Sequence, residues 1–468
     1  MEHKAVGSKL IYRLVIKFQD TFYVSEEDDH LFPNKQPGQW MDMNNLRPGL
    51  SFHRLFTSVS PAQIANLMRR AKARDINYHP PNFLNYYVLD FDAKTKAQHT
   101  LEKLMANKAI EKVYLETNPV YSPSAPAINS SVSITQSYLD PAPAGIDAKY
   151  AWRHKGGDGC SSIKFIAVEQ GWITDHQYVP TKTLPCSGMN HSSSRNHGTA
   201  VLGIIHMQHI NVGRSGITPK AKGYVLSQWR PDGNFNMADA ILASIHHLDD
   251  GDVLLIESQA YDPGTKKAMP VEIYDVNFQL IRLATALGIS VIEPAGNGNN
   301  VSGHDLDLFI NMESCKILNR SSTEFRDSGA IVVAAAGSNV PHTKMGYTNF
   351  GSRIDCYAWG ENVLTAGGFP NSSENVTTGY TTTFSGTSSA SAIITGAAIA
   401  LQSIAEVHLQ CRLNPSQIRA LLSNEMYGTA SANGRATDKI GVMPDLKKII
   451  RDLLKLHPAE KSKTHSNL

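Results

Sequence analysis

Cysteine is scarce in this sequence, and neither sign of charge predominates. The 468 residues include five cysteines (Cys160, Cys186, Cys315, Cys356 and Cys411). They show no metal-type spacing and no evident disulfide framework, so we expect neither a metal site nor a cofactor. Lysine and arginine number 44 against 42 aspartates and glutamates. This balance gives no electrostatic reason to expect nucleic acid or an anionic membrane as a partner.

Long apolar runs are also missing. No window approaches the ~20 apolar residues that a membrane helix needs. Residues 1–9 lack the apolar core of a secretory signal. These absences predict a chain without a membrane span or an N-terminal signal. A reducing compartment, or export by a route without such a signal, fits them, and the location stays open.

The chain does have the length and the apolar content for several domains. Its 468 residues, 41% of them hydrophobic, suggest two or three. Residues 1–117 predict a small α+β domain, with an open sheet and helices on one face. Residues 118–133, rich in Pro and Ser, predict an extended linker, and residues 456–468 a flexible tail. In the first domain we expect strands over 9–18, 86–91 and 109–115, and helices over 60–72 and 97–105.

Residues 134–455 alternate short apolar strands with helices. This pattern predicts an α/β domain whose parallel sheet carries helices on both faces. Ligands of such folds lie beyond the carboxyl ends of the strands, and Glu169 and Asn297 each follow or end a predicted strand. The predicted strands are 163–168, 223–227, 253–256, 290–293 and 329–335, and the predicted helices are 197–207, 237–247, 272–287, 388–403, 415–423 and 444–454.

Ser388 lies among small residues at the start of a predicted helix. A serine hydroxyl needs a base to become a nucleophile, and a helix start offers backbone N–H groups to a developing oxyanion. Ala390 follows where an α/β-hydrolase elbow would have Gly, so the segment is not that elbow. The alternative is a Ser- and Gly-rich helix start without chemistry.

Two further segments contain the partners that such a serine needs. His197 lies among small residues in Asn196-His197-Gly198-Thr199, where an imidazole suits proton transfer near neutral pH. Glu169 ends the apolar run 165–168 with a carboxylate. The chain order carboxylate, His, Ser is one of the known orders of a catalytic triad.

Together these motifs resemble those of the subtilisin-like serine proteases, the subtilases. The segment 197–205 matches the second motif of that family, and the Ser388 segment is similar to Gly-Thr-Ser-x-Ala-x-Pro with Ala392 in place of the Pro. The family usually has Asp where this chain has Glu169. Asn297, in Ala-Gly-Asn-Gly, stands where the family has its oxyanion Asn. The resemblance covers roughly two-thirds of the chain and implies the subtilisin-like α/β fold.

The resemblance also implies a role for each residue. Ser388 is expected as the nucleophile, His197 as the general base, Glu169 as the carboxylate that orients it, and Asn297 as the oxyanion donor. Protein or peptide substrates are implied. The substrate cleft is expected to be lined by two segments, which contribute Ser258, Gln259, Ala260, Ala295 and Gly296. Tyr178 stands where many relatives have a calcium-binding Asp, so no calcium is expected there.

The domain 1–117 is similar to a subtilase propeptide in its order of strands and helices. Such a domain acts as an intramolecular inhibitor or folding chaperone, and the linker 118–133 is a natural place for self-cleavage. An unrelated binding domain joined by a linker is the alternative.

Three functions remain open from the sequence. The first is a serine endopeptidase that works through an acyl-enzyme and processes itself from a proenzyme. The second is a binding protein on a protease scaffold, made idle by Glu169, although such relatives tend to lose the His, Ser or Asn that this chain keeps. The third is a non-protease serine hydrolase. The sedolisins have a similar Ser motif and a Glu base, but they lack a counterpart of His197 and have Asp in the oxyanion site. His197 and Asn297 therefore both argue against that family.

Overall fold

A computed structural model describes residues 12–20, 52–117, 135–179, 182–183, 188–208, 214–262, 264–368 and 377–456. Several predictions fall outside these ranges. They include the linker 118–133, residues 457–468 of the predicted tail 456–468, the first residues of the predicted strand 9–18, and the environment of Cys186. Leu456, the first residue of that tail, instead ends a helix.

The N-terminal domain is built on a four-stranded antiparallel sheet in the order β2-β3-β1-β4. Ser60 is the N-cap of the helix Pro61–Arg74 and forms a capping box with Gln63, and Pro61 lies in the first helical turn. Strand β2 lies in a stretch that the sequence pattern had not marked as a strand. The elements are β1 (Tyr12–Phe18), β2 (His53–Arg54), α1 (Pro61–Arg74), β3 (Tyr86–Phe91), α2 (Lys94–Met105) and β4 (Ile110–Thr117).

The second domain has a nine-stranded sheet in the order β16-β17-β13-β12-β11-β8-β5-β7-β6. All pairs are parallel except β16 with β17. Its strands, with two short hairpins, are β5 (Lys164–Glu169), β6 (Lys182–Thr183), β7 (Lys222–Ser227), β8 (Val253–Ile256), β9 (Ala260–Asp262), β10 (Lys267–Met269), β11 (Ser290–Pro294), β12 (Ile331–Ala336), β13 (Cys356–Trp359), β14 (Val363–Ala366), β15 (Tyr380–Phe384), β16 (Gly428–Ala430) and β17 (Val442–Pro444).

Helices cover this sheet on both faces, which confirms the predicted α/β class. α4 packs against α7, and α5 packs against α6, and each pair also contacts the strands. The central strands are apolar and buried on both sides, as β8 illustrates with four fully buried residues. The helices are α3 (Ala148–Ala151), α4 (Arg195–His206), α5 (Met237–His247), α6 (Asp275–Ala286), α7 (Thr387–Leu409), α8 (Pro415–Ser423), α9 (Arg435–Asp438) and α10 (Leu446–Leu456).

Helix α7 corrects the expectation that no segment has the length and apolarity of a membrane span. This 23-residue helix contains an 18-residue window that is apolar enough to cross a membrane, but 89% of that window is buried inside the protein. The apolar character of α7 is therefore explained by its place in the core, between α4 and the strands β8, β11, β12 and β13.

The two helices in the described part of the N-terminal domain belong to different apolar clusters. Leu101 of α2 packs with Leu14 and Ile16 of β1. Ile64 of α1 instead belongs with Val15 to the cluster that continues into the second domain. The prediction that both helices lie on one face is therefore wrong. The physical reason is that the apolar side of α1 is shared with α6, a contact that no local pattern shows.

Candidate active site

Glu169 is the last residue of β5 and is fully buried. One of its carboxylate oxygens, Oε1, accepts a hydrogen bond from the backbone N–H of Gln170 at 2.8 Å. The other, Oε2, lies 2.7 Å from Nδ1 of His197. The extra methylene of Glu relative to Asp is accommodated because the carboxyl folds back over its own strand end.

His197 is in the first turn of α4 and is almost fully buried. Burial disfavours the imidazolium, but the charge of Glu169 and its hydrogen bond outweigh burial, so the pKa of His197 is raised. The Phe384 ring packs edge-on against the imidazole, with centroids 5.3 Å apart. Gly198 is required next to it, since a Cβ there would lie 2.2 Å from the carbonyl oxygen of Gly171.

Ser388 is the second residue of α7, four residues after Phe384. Gly386 precedes the helix with a φ of 101°, in the left-handed region that favours glycine. The chain therefore turns sharply between the strand that contacts His197 and the helix start that contains Ser388. This turn places the serine at the positive end of the helix dipole.

Asn297 follows β11, and its side-chain oxygen faces the same helix start. Oδ1 of Asn297 accepts hydrogen bonds from the backbone N–H and the hydroxyl of Thr387, both at 2.9 Å. A Cβ placed on Gly386 would lie 3.3 Å from Nδ2 of Asn297 and 3.6 Å from the backbone nitrogen of Ser388. The side-chain nitrogen of Asn297 and the backbone nitrogen of Ser388 therefore both lie within 4 Å of one point beside Gly386.

The predicted substrate segments lie beside these groups. Oε1 of Gln259 accepts from the backbone N–H of Asn297 at 3.0 Å, and the Ser258 hydroxyl donates to Gln228 at 3.2 Å. Ala260 begins β9, in a hairpin with β10 that the sequence did not predict.

The other predicted wall of the cleft, at Ala295 and Gly296, is held by one residue, Asn349. Nδ2 of Asn349 donates to the carbonyl oxygen of Ala295 at 2.7 Å, and its backbone N–H donates to that of Gly296 at 3.1 Å. The same amide donates to the carbonyl oxygen of Ala268 in β10 at 2.8 Å. The hairpin and the wall are therefore tied together.

Glu257 is a site residue whose importance the sequence did not show. It follows β8, is 1% exposed, and accepts a hydrogen bond from the Ser391 hydroxyl at 2.7 Å. Burial raises its pKa to about 7, against the charge of His197 and hydrogen bonds with Ser391 and Ser388. The signal available in the sequence was a charge directly after the apolar run Val253–Ile256.

Within the described residues, no group of three or more His, Cys, Asp or Glu side chains could hold a metal ion. Tyr178, at the position discussed for calcium, stacks on Tyr380 with centroids 5.6 Å apart.

The comparisons with known proteins define a serine-type peptidase, a hydrolase of protein or peptide substrates. The sequence model described as the subtilase family matches residues 166–443, more than half of the sequence. The chain belongs to the subtilase family.

Solved structures similar to this one have low sequence identity to it. Fervidolysin from Fervidobacterium pennivorans, a keratinolytic enzyme related to subtilisin, shares 15% identity with a TM-score of 0.52 over 96% of this chain and 62% of its own. The prenylagaramide maturation protease PagA shares 17% identity with a TM-score of 0.47, over 65% of this chain and 98% of its own. A cold-adapted subtilisin-like serine proteinase shares 18%, with a TM-score of 0.42, over 61% and 87%. A search of curated proteins finds no match.

Proposed function

We propose that this chain is a serine endopeptidase that uses Ser388, His197 and Glu169 as a catalytic triad. The observation that carries the proposal is the 2.7 Å contact between Glu169 Oε2 and His197 Nδ1, with both side chains buried. A buried carboxylate on Nδ1 fixes the tautomer in which Nε2 can accept a proton. Glu169 thereby does what Asp does in most relatives.

The proposed reaction proceeds through an acyl-enzyme. Ser388 Oγ attacks the peptide carbonyl carbon while its proton passes to Nε2 of His197, and the imidazolium that forms is stabilised by Glu169. The tetrahedral oxyanion accepts hydrogen bonds from Asn297 Nδ2 and the backbone N–H of Ser388. His197 then returns the proton to the leaving amine, and water repeats the sequence to release the acid. In this proposal Ser258, Gln259, Ala260, Ala295 and Gly296 line the substrate cleft.

We further propose that the domain 1–117 is a propeptide that assists folding and inhibits the enzyme. The first support is its contact with the start of α5. Asp239, in the first turn of that helix, accepts the backbone N–H groups of Thr57 and Ser58 at 2.8 Å and 3.0 Å. Asn236, its N-cap residue, donates to the carbonyl oxygen of Leu55 at 2.7 Å.

The second support is a matching contact with the start of α6. Lys112 of β4 forms an ion pair with Asp275 at 2.8 Å. The hydroxyl of Tyr114 accepts the backbone N–H of Val276 at 3.1 Å, and its ring stacks on Tyr274. The first domain therefore satisfies polar groups at the starts of two adjacent helices. Strand β4 leads into the segment 118–133, where we propose that self-cleavage occurs.

The test is the intact mass of the purified full chain over time, beside Ser388→Ala. We expect the native chain to shorten by a cut within residues 118–145 and to react with a fluorophosphonate, and Ser388→Ala to do neither. Ser403→Ala is the matched control, since Ser403 lies on α7 several turns from the site and its hydroxyl has no partner among the described residues. A native chain that stays whole and unlabelled would favour the idle binding protein instead.

A further inference from the structure

Glu257 lies at the edge of the sheet where the proposed triad is assembled. Its backbone N–H donates to the carbonyl oxygen of Val168 at 2.9 Å, so it is joined to β5 just before Glu169. Strands β5 and β8 are parallel neighbours with Val168 opposite Ile256. Two buried carboxylates therefore lie at the same end of the sheet: Glu169 is the last residue of β5, and Glu257 comes directly after the adjacent β8.

The Glu257 carboxyl contacts the helix that contains the proposed nucleophile. Oε2 accepts the Ser391 hydroxyl at 2.7 Å, and the Ser388 side chain favours the ionised form of this carboxyl. Ser388 and Ser391 are three residues apart on α7, so their side chains share one helix face. The carboxyl thus contacts the helix face that also presents the hydroxyl proposed to attack the substrate.

The charged and titratable groups around Glu257 are those of the proposed triad. From α4, the charge of His197 favours ionised Glu257, and from β5 the charge of Glu169 opposes it. In return, the charge of Glu257 favours the protonated form of His197. The backbone carbonyl of Glu257 accepts a hydrogen bond from Gln228, next to β7, at 3.3 Å. The imidazole is therefore influenced by two carboxylates, one hydrogen-bonded to Nδ1 and one near the nucleophile.

Burial alone does not account for the electrostatic neighbours of Glu257, as a comparison with a second buried glutamate shows. Glu293 in β11 is also fully buried, but its electrostatic neighbours are Glu272 and Arg353. Those two residues form a buried ion pair, with Arg353 Nε 2.6 Å from Glu272 Oε1. Glu293 thus lies beside a permanent cation, whereas the strongest influence favouring ionised Glu257 is a histidine that can lose its charge.

We propose that Glu257 is a second carboxylate of the active site, a positioning residue that is held against the Ser388 face of α7 through Ser391 and supplies negative charge to His197. The inference rests on the proposed function. The proton still passes from Ser388 to His197 and then to the leaving amine, and Glu257 neither gains nor loses a proton in the cycle. Its charge favours the imidazolium that forms after that first transfer.

The sign of the pH effect follows from this charge. Glu257, whose pKa is about 7, gains its charge as pH rises through that value, and the ionised carboxylate favours imidazolium. The pKa of His197 is therefore higher with Glu257 than without it. Only neutral imidazole can accept the serine proton, so activity rises as pH increases through that pKa. Replacing Glu257 by neutral Gln removes the charge and must move the acidic limb of the activity profile to lower pH.

The experiment is the pH dependence of fluorophosphonate labelling and of peptide kcat/KM for the full chain, for Glu257→Gln and for Glu293→Gln. We expect the midpoint of the acidic limb to fall by roughly 0.5–1 pH unit in Glu257→Gln. Glu293→Gln, which removes an equally buried carboxyl, should leave the midpoint unchanged. Glu257→Asp, which keeps the charge, should restore a midpoint close to the native one.

Each outcome decides the inference separately from the proposed function. An unshifted midpoint in folded Glu257→Gln overturns it, even when the native enzyme is fully active. If Glu257→Gln does not fold, the Nδ1–H proton of His197 in the native chain is followed by NMR against pH. A second inflection from Glu257 supports the inference, and a single inflection overturns it. A native chain that no fluorophosphonate labels at any pH refutes the triad instead, while the NMR titration still tests Glu257.

Discussion

At the residue scale, the feature that separates this chain from the usual subtilase pattern is the length of one side chain. Glu169 ends a strand whose register with β7 is regular through its last residue, so the backbone does not retreat to make room. The additional methylene is absorbed by the side chain, whose second oxygen accepts the N–H of Gln170. Glutamate is therefore held on both oxygens, as an orienting carboxylate should be.

Glu169→Gln should nearly abolish turnover. The amide keeps the size of the side chain but no longer supplies the charge that stabilises imidazolium, and it favours the wrong tautomer. We expect kcat to fall by ~10⁴, the loss known for the equivalent change in a Ser-His-Asp protease. Steady-state kinetics on a peptide substrate measures it, with circular dichroism as a control for folding. A variant with native kcat would show that Glu169 has no catalytic role.

Glu169→Asp tests the distance instead of the charge. The shorter carboxylate cannot keep both the 2.7 Å contact with His197 and the bond from Gln170 N–H unless the strand end moves. We expect kcat to fall, but by less than in Glu169→Gln, because the charge remains. Equal or higher activity would mean that this site is not fitted to glutamate.

Asn297→Ala should lower kcat by ~10²–10³ with little change in KM, because the amide contacts the oxyanion only after attack. This magnitude is the one known for loss of the oxyanion-hole asparagine in subtilisin itself. Stopped assays at saturating and limiting peptide concentrations separate the two constants. A rise in KM alone would assign Asn297 to substrate binding.

At the element scale, helix starts organise both the proposed active site and the contact between the domains. His197 lies at the start of α4, and Ser388 at the start of α7. The starts of α5 and α6 form hydrogen bonds with the first domain. The first turn of a helix has free N–H groups and a partial positive charge, so it attracts polar partners. In α5 the acidic residue Asp239 matches this partial positive charge, and its carboxylate accepts backbone N–H groups of the first domain.

Ser58→Ala should weaken the contact between the two domains without altering the peptidase domain. It removes a hydroxyl that accepts from Arg230 Nη2 at 2.6 Å and also bonds with Asp239. We expect faster hydrogen exchange at the start of α5 in the Ser388→Ala background, where no self-cleavage occurs. Thr95→Ala, an exposed position on α2, is the control. Unchanged exchange would show that the contact does not depend on Ser58.

At the scale of the whole molecule, buried carboxyls determine how stability depends on pH. Burial raises the pKa of Glu257 and of Glu116 from 4.5 to about 7 in the folded chain. A carboxyl with a raised pKa contributes stability below pH 4.5, and that contribution is lost as pH rises through about 7. Asp327 has the opposite sign, since Arg419 lowers its pKa despite burial, and its contribution is lost in acid.

Glu257→Gln should therefore stabilise the protein more at pH 8.5 than at pH 5. As pH rises, the native chain must ionise a buried carboxyl, which lowers its free energy of unfolding. The neutral amide avoids this loss, which is at most about 3 kcal/mol. Thermal unfolding of the pair in the Ser388→Ala background measures the difference in Tm at both pH values. A difference that does not grow with pH would mean that Glu257 is ionised at little cost.

The helices and strands were predictable where the apolar pattern was long or had clear ends. The predicted bounds 86–91, 237–247, 253–256 and 415–423 match the structure. The hairpin of β9 and β10 and the strand β13 were missed, because they are short and lack the uniform run of Val, Leu and Ile that marks the equally short β8. The sequence also did not predict which apolar cluster α1 would join, because its packing partner α6 lies far away in the chain.

The sequence by itself determined the family and the α/β class. It also led to the proposal of Glu169, His197, Asn297 and Ser388 as site residues, because these lie in short motifs at the ends of regular elements. The place of Glu257 was decided only by the tertiary structure. It contacts Ser391, 134 positions later in the chain, through the packing of α7 against the sheet. A local pattern can show that a carboxylate ends a strand, but its charge acts through space, on whatever group the fold brings to it.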